Sequence, residues 1–284
     1  MGEESVSSDL VFASILLTGV LVLMHLSAPW FRRLSFMNRA GFTSFSGGFA
    51  VAFVFLHMLP GLVESKDSVG AVLHSHFAES NIVDTGVFLL ALLGFTIFYG
   101  LKRWCRIEQG KGEENIRRSF LISIGSFSIY NAVIAFTMPE RISVDLVTAL
   151  VFTLAIGLHF VIIDAEHEAH EARLFNRWGR YVLAGALVVG WGLGTTIGEH
   201  SEVMAAFLSS LLAGSILMNV FHYELSEVSD SRFGAFLTGI VSGTALLLIV
   251  FFLERSVDGG DILEISNAEG IEEVYLGDGG VEVN

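Results

Sequence analysis

Eight apolar stretches divide this chain, and its lysines and arginines collect on every second connection between them. The stretches run over residues 10–28, 43–63, 84–104, 119–137, 144–164, 181–198, 203–223 and 233–253. Each is close to the roughly 20 residues that a helix needs to cross a hydrocarbon core of about 30 Å. Backbone amides have no water to bond to in lipid, so stretches of this length must be helices there. The expected fold is all-α: a polytopic membrane protein of eight transmembrane helices.

The loop charges set the orientation. Connections 1–2, 3–4, 5–6 and 7–8 hold Arg32, Arg33 and Arg39; Lys102, Arg103, Arg106, Lys111, Arg117 and Arg118; Arg173, Arg177 and Arg180; and Arg232. These are thirteen of the sixteen cations, and Lys66, Arg141 and Arg255 lie on the other side. The positive-inside bias puts the thirteen in the cytoplasm and both termini outside. The first stretch is preceded by Glu3, Glu4 and Asp9 and followed by Arg32 and Arg33, which reads as an N-out anchor and not a signal peptide.

With 52% hydrophobic and 16% charged residues, the chain carries too little charge for a soluble protein of its 284 residues. The expected organisation is a bundle over residues 1–253 and an acidic extracytoplasmic tail over 254–284. That tail has eight acidic residues after Arg255, from Asp258 to Glu282, and no lysine or arginine. Such a segment reads as a solvated, flexible or short hairpin tail, or as a loose collector of cations. The lone Cys105 has no intrachain disulfide partner and is given no role.

Two stretches look alike. The second runs from Gly47-Gly48 to Phe55-Leu56-His57-Met58-Leu59-Pro60, with Glu64 beyond; the seventh runs from Gly214-Ser215 to Phe221-His222-Tyr223-Glu224, with Glu227 beyond. They cross the membrane in opposite directions. That suggests an inverted repeat, stretches 1–3 against 6–8 with 4 and 5 between, an arrangement typical of secondary transporters. Coincidence between two glycine-started apolar helices is the competing reading. Glycines in stretches six and eight favour close helix packing.

Ionisable groups within a bilayer are expensive, so each one is a candidate site. His25, His57, His159, His222 and Glu224 lie within or at the ends of stretches, and the fourth carries Ser123, Ser126, Ser128, Tyr130 and Asn131. The densest group is Asp164-Ala165-Glu166-His167-Glu168-Ala169-His170-Glu171. On a helix, His167 pairs with Glu171 and Glu166 with His170. Imidazole and carboxylate together suit zinc, iron or manganese; the segment equally suits a solvated helix with internal charge pairs. No hydrolase triad, phosphate loop or dinucleotide fingerprint occurs, so an enzyme is not expected.

In topology, and in Ser46-Gly47-Gly48-Phe49 through His57-Met58-Leu59-Pro60, the chain resembles the ZIP (Zrt/Irt-like) divalent metal transporter family. The resemblance covers residues 10–253. It implies eight spans in a 3 + 2 + 3 inverted-repeat bundle, and a metal site between the fourth and fifth spans. The family's fourth-span His-Asn-x-Pro-Glu-Gly stands here as Tyr130-Asn131-Ala132-Val133-Ile134-Ala135. In the fifth span either His159 is the family's histidine, with Ile163 in place of its glutamate and Asp164 beside it, or His167 and Glu171 hold the two ligand positions, with His170 in the place of the proline. Two Glu-to-Ile departures remove oxygen ligands and charge that a dication in a low dielectric needs.

The resemblance makes the expected function a permease for a divalent metal cation, zinc foremost, or iron or manganese. The metal is cargo, with no permanently bound cofactor. The expected site residues are His159, Asp164, Asn131, Tyr130, His167, His170, Glu171 and His57. An outer vestibule of Glu64, Asp67, His74, His76 and Glu79 would gather the ion. The alternative is a non-transporting relative with a sensing, assembly or partner-binding role. The expected partners are the lipid bilayer, the divalent ion and a second copy of the chain as a homodimer, with no nucleic acid. The expected location is the plasma membrane.

Overall fold

The computed structural model describes residues 2–31, 39–64, 66, 85–109, 112–197, 201–225 and 232–268. Among these residues there are helices and no strands. In chain order they are α1 (Gly2–Phe31), α2 (Arg39–Phe53), a π-helical turn (Val54–Met58), α3 (Leu59–Glu64), α4 (Gly86–Gln109), α5 (Glu113–Phe136), α6 (Met138–Val144), α7 (Leu146–Leu174), a second π-helical turn (Phe175–Gly179), α8 (Arg180–Thr196), α9 (Ser201–Leu225) and α10 (Phe233–Ala268).

Among the described residues each of the eight apolar stretches is helical, apart from residues at their ends. Six helical segments among the described residues are long and apolar enough to cross a membrane: Ser8–Trp30, Ala40–Val63, Gly86–Glu108, Asn115–Val144, Leu146–Ala169 and Phe233–Phe252. Ala206–His222 in α9 is a shorter apolar helix, and α8 has 17 residues. The chain divides into two compact units, Met1–Leu247 and Leu248–Asn284. In the second, the part expected to be a flexible or hairpin tail is helical as far as Ala268; residues 269–284 lie outside the described residues.

Local sequence accounts for the irregular points. The π turn at Val54–Met58 comes just before Pro60, whose ring would crowd the Leu56 carbonyl of a regular helix. Asp145 leaves the helical conformation between α6 and α7, and its carboxylate accepts from the Thr148 amide as an N-cap. α7 kinks at Glu171, where φ is −148° and ψ 67°.

Within the first unit α7 is the most enclosed of the spanning segments, and α4 and α10 are among the least. Phe53, Phe152, Phe160, Ile134, Ile156 and Ile163 fill the interior, while Leu92, Ile97 and Val241 on α4 and α10 are exposed, as lipid-facing residues would be.

Two helix pairs meet through glycine in the same way. A Cβ on Gly48 (α2) would overlap the Phe236 carbonyl of α10, and one on Gly239 (α10) would overlap the Phe45 carbonyl of α2. Likewise a Cβ on Gly214 (α9) would overlap the Ala91 carbonyl of α4, and one on Gly94 (α4) the Leu211 carbonyl of α9. Each glycine thus turns a Cα–H toward a facing carbonyl oxygen, a contact only glycine permits. Gly190 and Gly194 of α8 lie against Ala132 and Phe136 of α5 in the same manner.

Candidate functional site

The polar groups of the interior gather on α7 and the helices that surround it. Asp164 is buried among them. Its two carboxylate oxygens each lie 2.9 Å from Nδ1 of His25 on α1. His25 Nε2 in turn is 2.8 Å from Nδ2 of Asn131 on α5, and that nitrogen also donates to the Leu183 carbonyl of α8 at 3.2 Å. Four helices therefore meet in one chain of hydrogen bonds. All three side chains are 2% exposed or less.

The chemistry of the partners fixes the protons. A carbonyl only accepts, so the Asn131 atom between Leu183 and His25 is the donating nitrogen. His25 Nε2 must then accept, which leaves the imidazole hydrogen on Nδ1, donating to the Asp164 carboxylate. Phe160, one turn before Asp164, stacks on the imidazole at 4.4 Å between ring centroids. A carboxylate held by an imidazole in an apolar wall is a site for a proton or a cation, since its negative charge lacks water.

A second group lies further along α7. His167 donates from Nδ1 to the Ile163 carbonyl at 2.8 Å, and its Nε2 lies 2.9 Å from the Ser123 hydroxyl of α5, which donates to it. Glu166 accepts from Lys102 Nζ of α4 at 2.8 Å. The same ammonium stands 5.2 Å from the centre of the Phe127 ring and lies within electrostatic reach of His159, His167 and His222. Glu168 accepts from Asn176 at 2.8 Å. His167 and Glu168 are both buried, so this part of the acidic segment is packed inside the protein and not spread on a solvated helix face.

At the other end of α7, Arg141 of α6 donates to Ser209 of α9 and to Thr137, each at 3.3 Å, with its guanidinium 4.0 Å from the centre of the Phe152 ring. His57, in the π turn, lies within electrostatic reach of Arg141 and Asp145, with its ring 5.0 Å from that of Phe53.

The residues expected to form one site are thus distributed. Asp164 and Asn131 converge, but on His25, which sequence reasoning noted only as an intramembrane histidine. His159 is buried on α7, with its ring 6.5 Å from that of Tyr130. His167 is bonded to Ser123, and Glu171 stands at the α7 kink, which breaks its helical register with His167. His57 lies at the far end with Arg141. The side chain of His170 lies outside the described residues, as do the side chain of Glu64 and all of Asp67, His74, His76 and Glu79. Ile134 and Ile163, which stand where the ZIP family has glutamates, are fully buried.

Among the described residues, no three histidine, cysteine or acidic side chains come together as a metal site. Buried polar groups with no hydrogen-bond partner among the described residues include the Tyr130 hydroxyl on α5, the Ser46 hydroxyl on α2 and both ends of the Asn219 amide on α9. Compared with protein-family models and with curated proteins, the sequence has no match.

Proposed function

We propose that this chain is a ZIP-like membrane permease for a divalent metal cation, with eight spans in a 3 + 2 + 3 inverted-repeat bundle and both termini extracytoplasmic. The observation that supports it most is the doubled glycine contact. Adding 166 to Phe45 and Gly48 gives Leu211 and Gly214; subtracting 145 from Phe236 and Gly239 gives Ala91 and Gly94. The α2–α10 contact is thereby reproduced, partner for partner, by α9–α4. A duplication that inverts stretches 1–3 onto 6–8 produces this correspondence, and inverted repeats are the framework of alternating access.

Cargo chemistry would centre on His25, Asp164 and Asn131. A dication would replace the Nδ1 proton of His25 between imidazole and carboxylate. Ligand bonds of about 2 Å on a tetrahedral ion set such atoms roughly 3.3 Å apart, a small opening from the 2.9 Å observed. The Tyr130, Ser46 and Asn219 groups offer further oxygen ligands along α5, α2 and α9.

The second reading, a non-transporting relative, is favoured by Lys102 and Arg141. Both place a fixed positive charge in the interior, near His159 and His57 respectively, where a second cation would be repelled.

Uptake of radioactive zinc, iron and manganese into proteoliposomes separates the two readings. The permease carries at least one of these above empty vesicles, and Asp164→Asn lowers that flux tenfold or more. Background flux for wild type under an inward gradient of all three metals overturns the permease and leaves the second reading.

A further inference from the structure

An open cleft of about 570 Å³ lies where α2 and α10 begin, lined by Gly41, Phe42 and Phe45 of α2, by Arg232, and by Gly234, Ala235 and Thr238 of α10. The Arg232 amide donates to Ser44 Oγ at 3.1 Å, which ties the two helix starts together at the floor.

The repeat supplies an internal comparison. The same offsets carry Gly41, Phe42 and Phe45 onto Phe207, Leu208 and Leu211, and Arg232, Gly234, Ala235 and Thr238 onto Val87, Leu89, Leu90 and Leu93. At the start of α4 and α9, large apolar side chains therefore stand where the α2–α10 cleft has Gly, Gly, Ala and Thr. A valine replaces its arginine. Close helix packing does not explain the difference, because Gly48 and Gly239 make that contact deeper in the pair. The cleft departs from the repeat: four of its seven positions are smaller, Phe42 and Phe45 stand as larger rings where the other pair has Leu208 and Leu211, and an arginine stands in the place of a valine.

We propose that this cleft binds an anionic phospholipid, with an acyl chain along Phe42, Phe45 and Thr238 and the phosphate at Arg232. The charge is complementary. On the orientation proposed above, Arg232 lies at the cytoplasmic leaflet, whose anionic lipids attract basic residues by roughly 1 kcal/mol each.

The test uses the purified full chain in detergent, with native mass spectrometry and thermal unfolding in the presence of phosphatidylglycerol or phosphatidylcholine. Wild type retains phosphatidylglycerol and unfolds several degrees higher with it, and phosphatidylcholine does neither. Arg232→Gln weakens the retention, and the double variant A235L/T238L, which restores the bulk of the α4–α9 pair, abolishes it. Equal retention of both lipids, or undiminished phosphatidylglycerol binding by the filled variant, overturns the proposal. A dimer that vanishes on filling, with no lipid adduct in wild type, assigns the cleft to a second copy and also overturns it. Should the filled variant not fold, a photoreactive phosphatidylglycerol on wild type decides: adducts at Phe42, Phe45 or Thr238 support the site, and adducts confined elsewhere refute it. None of these readouts involves metal flux.

Discussion

His25 on α1 and Asp164 on α7 are 139 residues apart in sequence, and they meet with Nδ1 2.9 Å from both carboxylate oxygens. Neither is more than 2% exposed. Removing Asp164 leaves the Nδ1–H of His25 buried without an acceptor, at a cost of about 1–3 kcal/mol. Replacing both by apolar residues of similar volume removes that orphan and leaves only one N–H of Asn131 without its acceptor, while its bond to the Leu183 carbonyl remains. Asp164→Leu is therefore expected to unfold at markedly lower denaturant than wild type, and the His25→Leu/Asp164→Leu double variant to regain much of the loss. A double-mutant cycle in detergent, read by circular dichroism, checks the coupling. Additive losses would show that the two side chains do not act as a pair.

The glycine contacts predict where added bulk is tolerated. Gly214→Val pushes a side chain into the Ala91 carbonyl and Gly48→Val into that of Phe236. Each should destabilise by at least the 1–3 kcal/mol typical of overpacking, since a backbone carbonyl cannot move aside as a side chain can. Gly19 and Gly185 have open space where a Cβ would go. Gly19→Ala and Gly185→Ala should be neutral, or stabilising by up to about 1 kcal/mol through helix propensity. Thermal unfolding of the four variants side by side tests the contrast.

Cys105 provides a check on the α4–α5 connection. The thiol is buried and lies 3.6 Å from the Ser119 carbonyl, and the Ser119 hydroxyl donates to the Cys105 carbonyl at 3.2 Å. A maleimide should label it far more slowly in the folded protein than after denaturation. Ser119→Val, which removes one of these bonds, should speed the labelling of the native protein. Rapid labelling of the native wild type would contradict this packing.

The helices were legible in the sequence because the bilayer imposes a length, and length survives without knowledge of any partner. The proposed inverted repeat was suggested in the sequence only by the likeness of the two glycine-started stretches. The contacts that support the proposal, Gly48 against α10 and Gly214 against α4, depend on which helices touch. The site was less legible for the same reason. Asp164 and Asn131 stood out as polar groups in apolar helices, but their common partner His25 lies in a different helix from either, and no spacing rule connects them. His167 shows the converse. Its neighbours in sequence are acidic and pointed to a charged or metal-binding segment, yet its two bonds go to a serine hydroxyl and its own helix backbone.

Lys102 gives the sharpest test of whether the interior can accept a cation. Its ammonium lies against Glu166 and within reach of His159, His167 and His222. A positive charge fixed there opposes any ion that approaches those imidazoles, with little water to screen it. Lys102→Met removes the charge and keeps most of the stem volume; adding Glu166→Gln removes its counter-charge as well. The K102M protein is expected to bind zinc at least tenfold more tightly than wild type, measured by calorimetry in detergent, because an opposing charge has gone and the Glu166 carboxylate remains. K102M/E166Q, which loses an opposing and an attracting charge together, is expected to gain much less. Unchanged affinity in both variants would show that zinc does not approach these histidines at all.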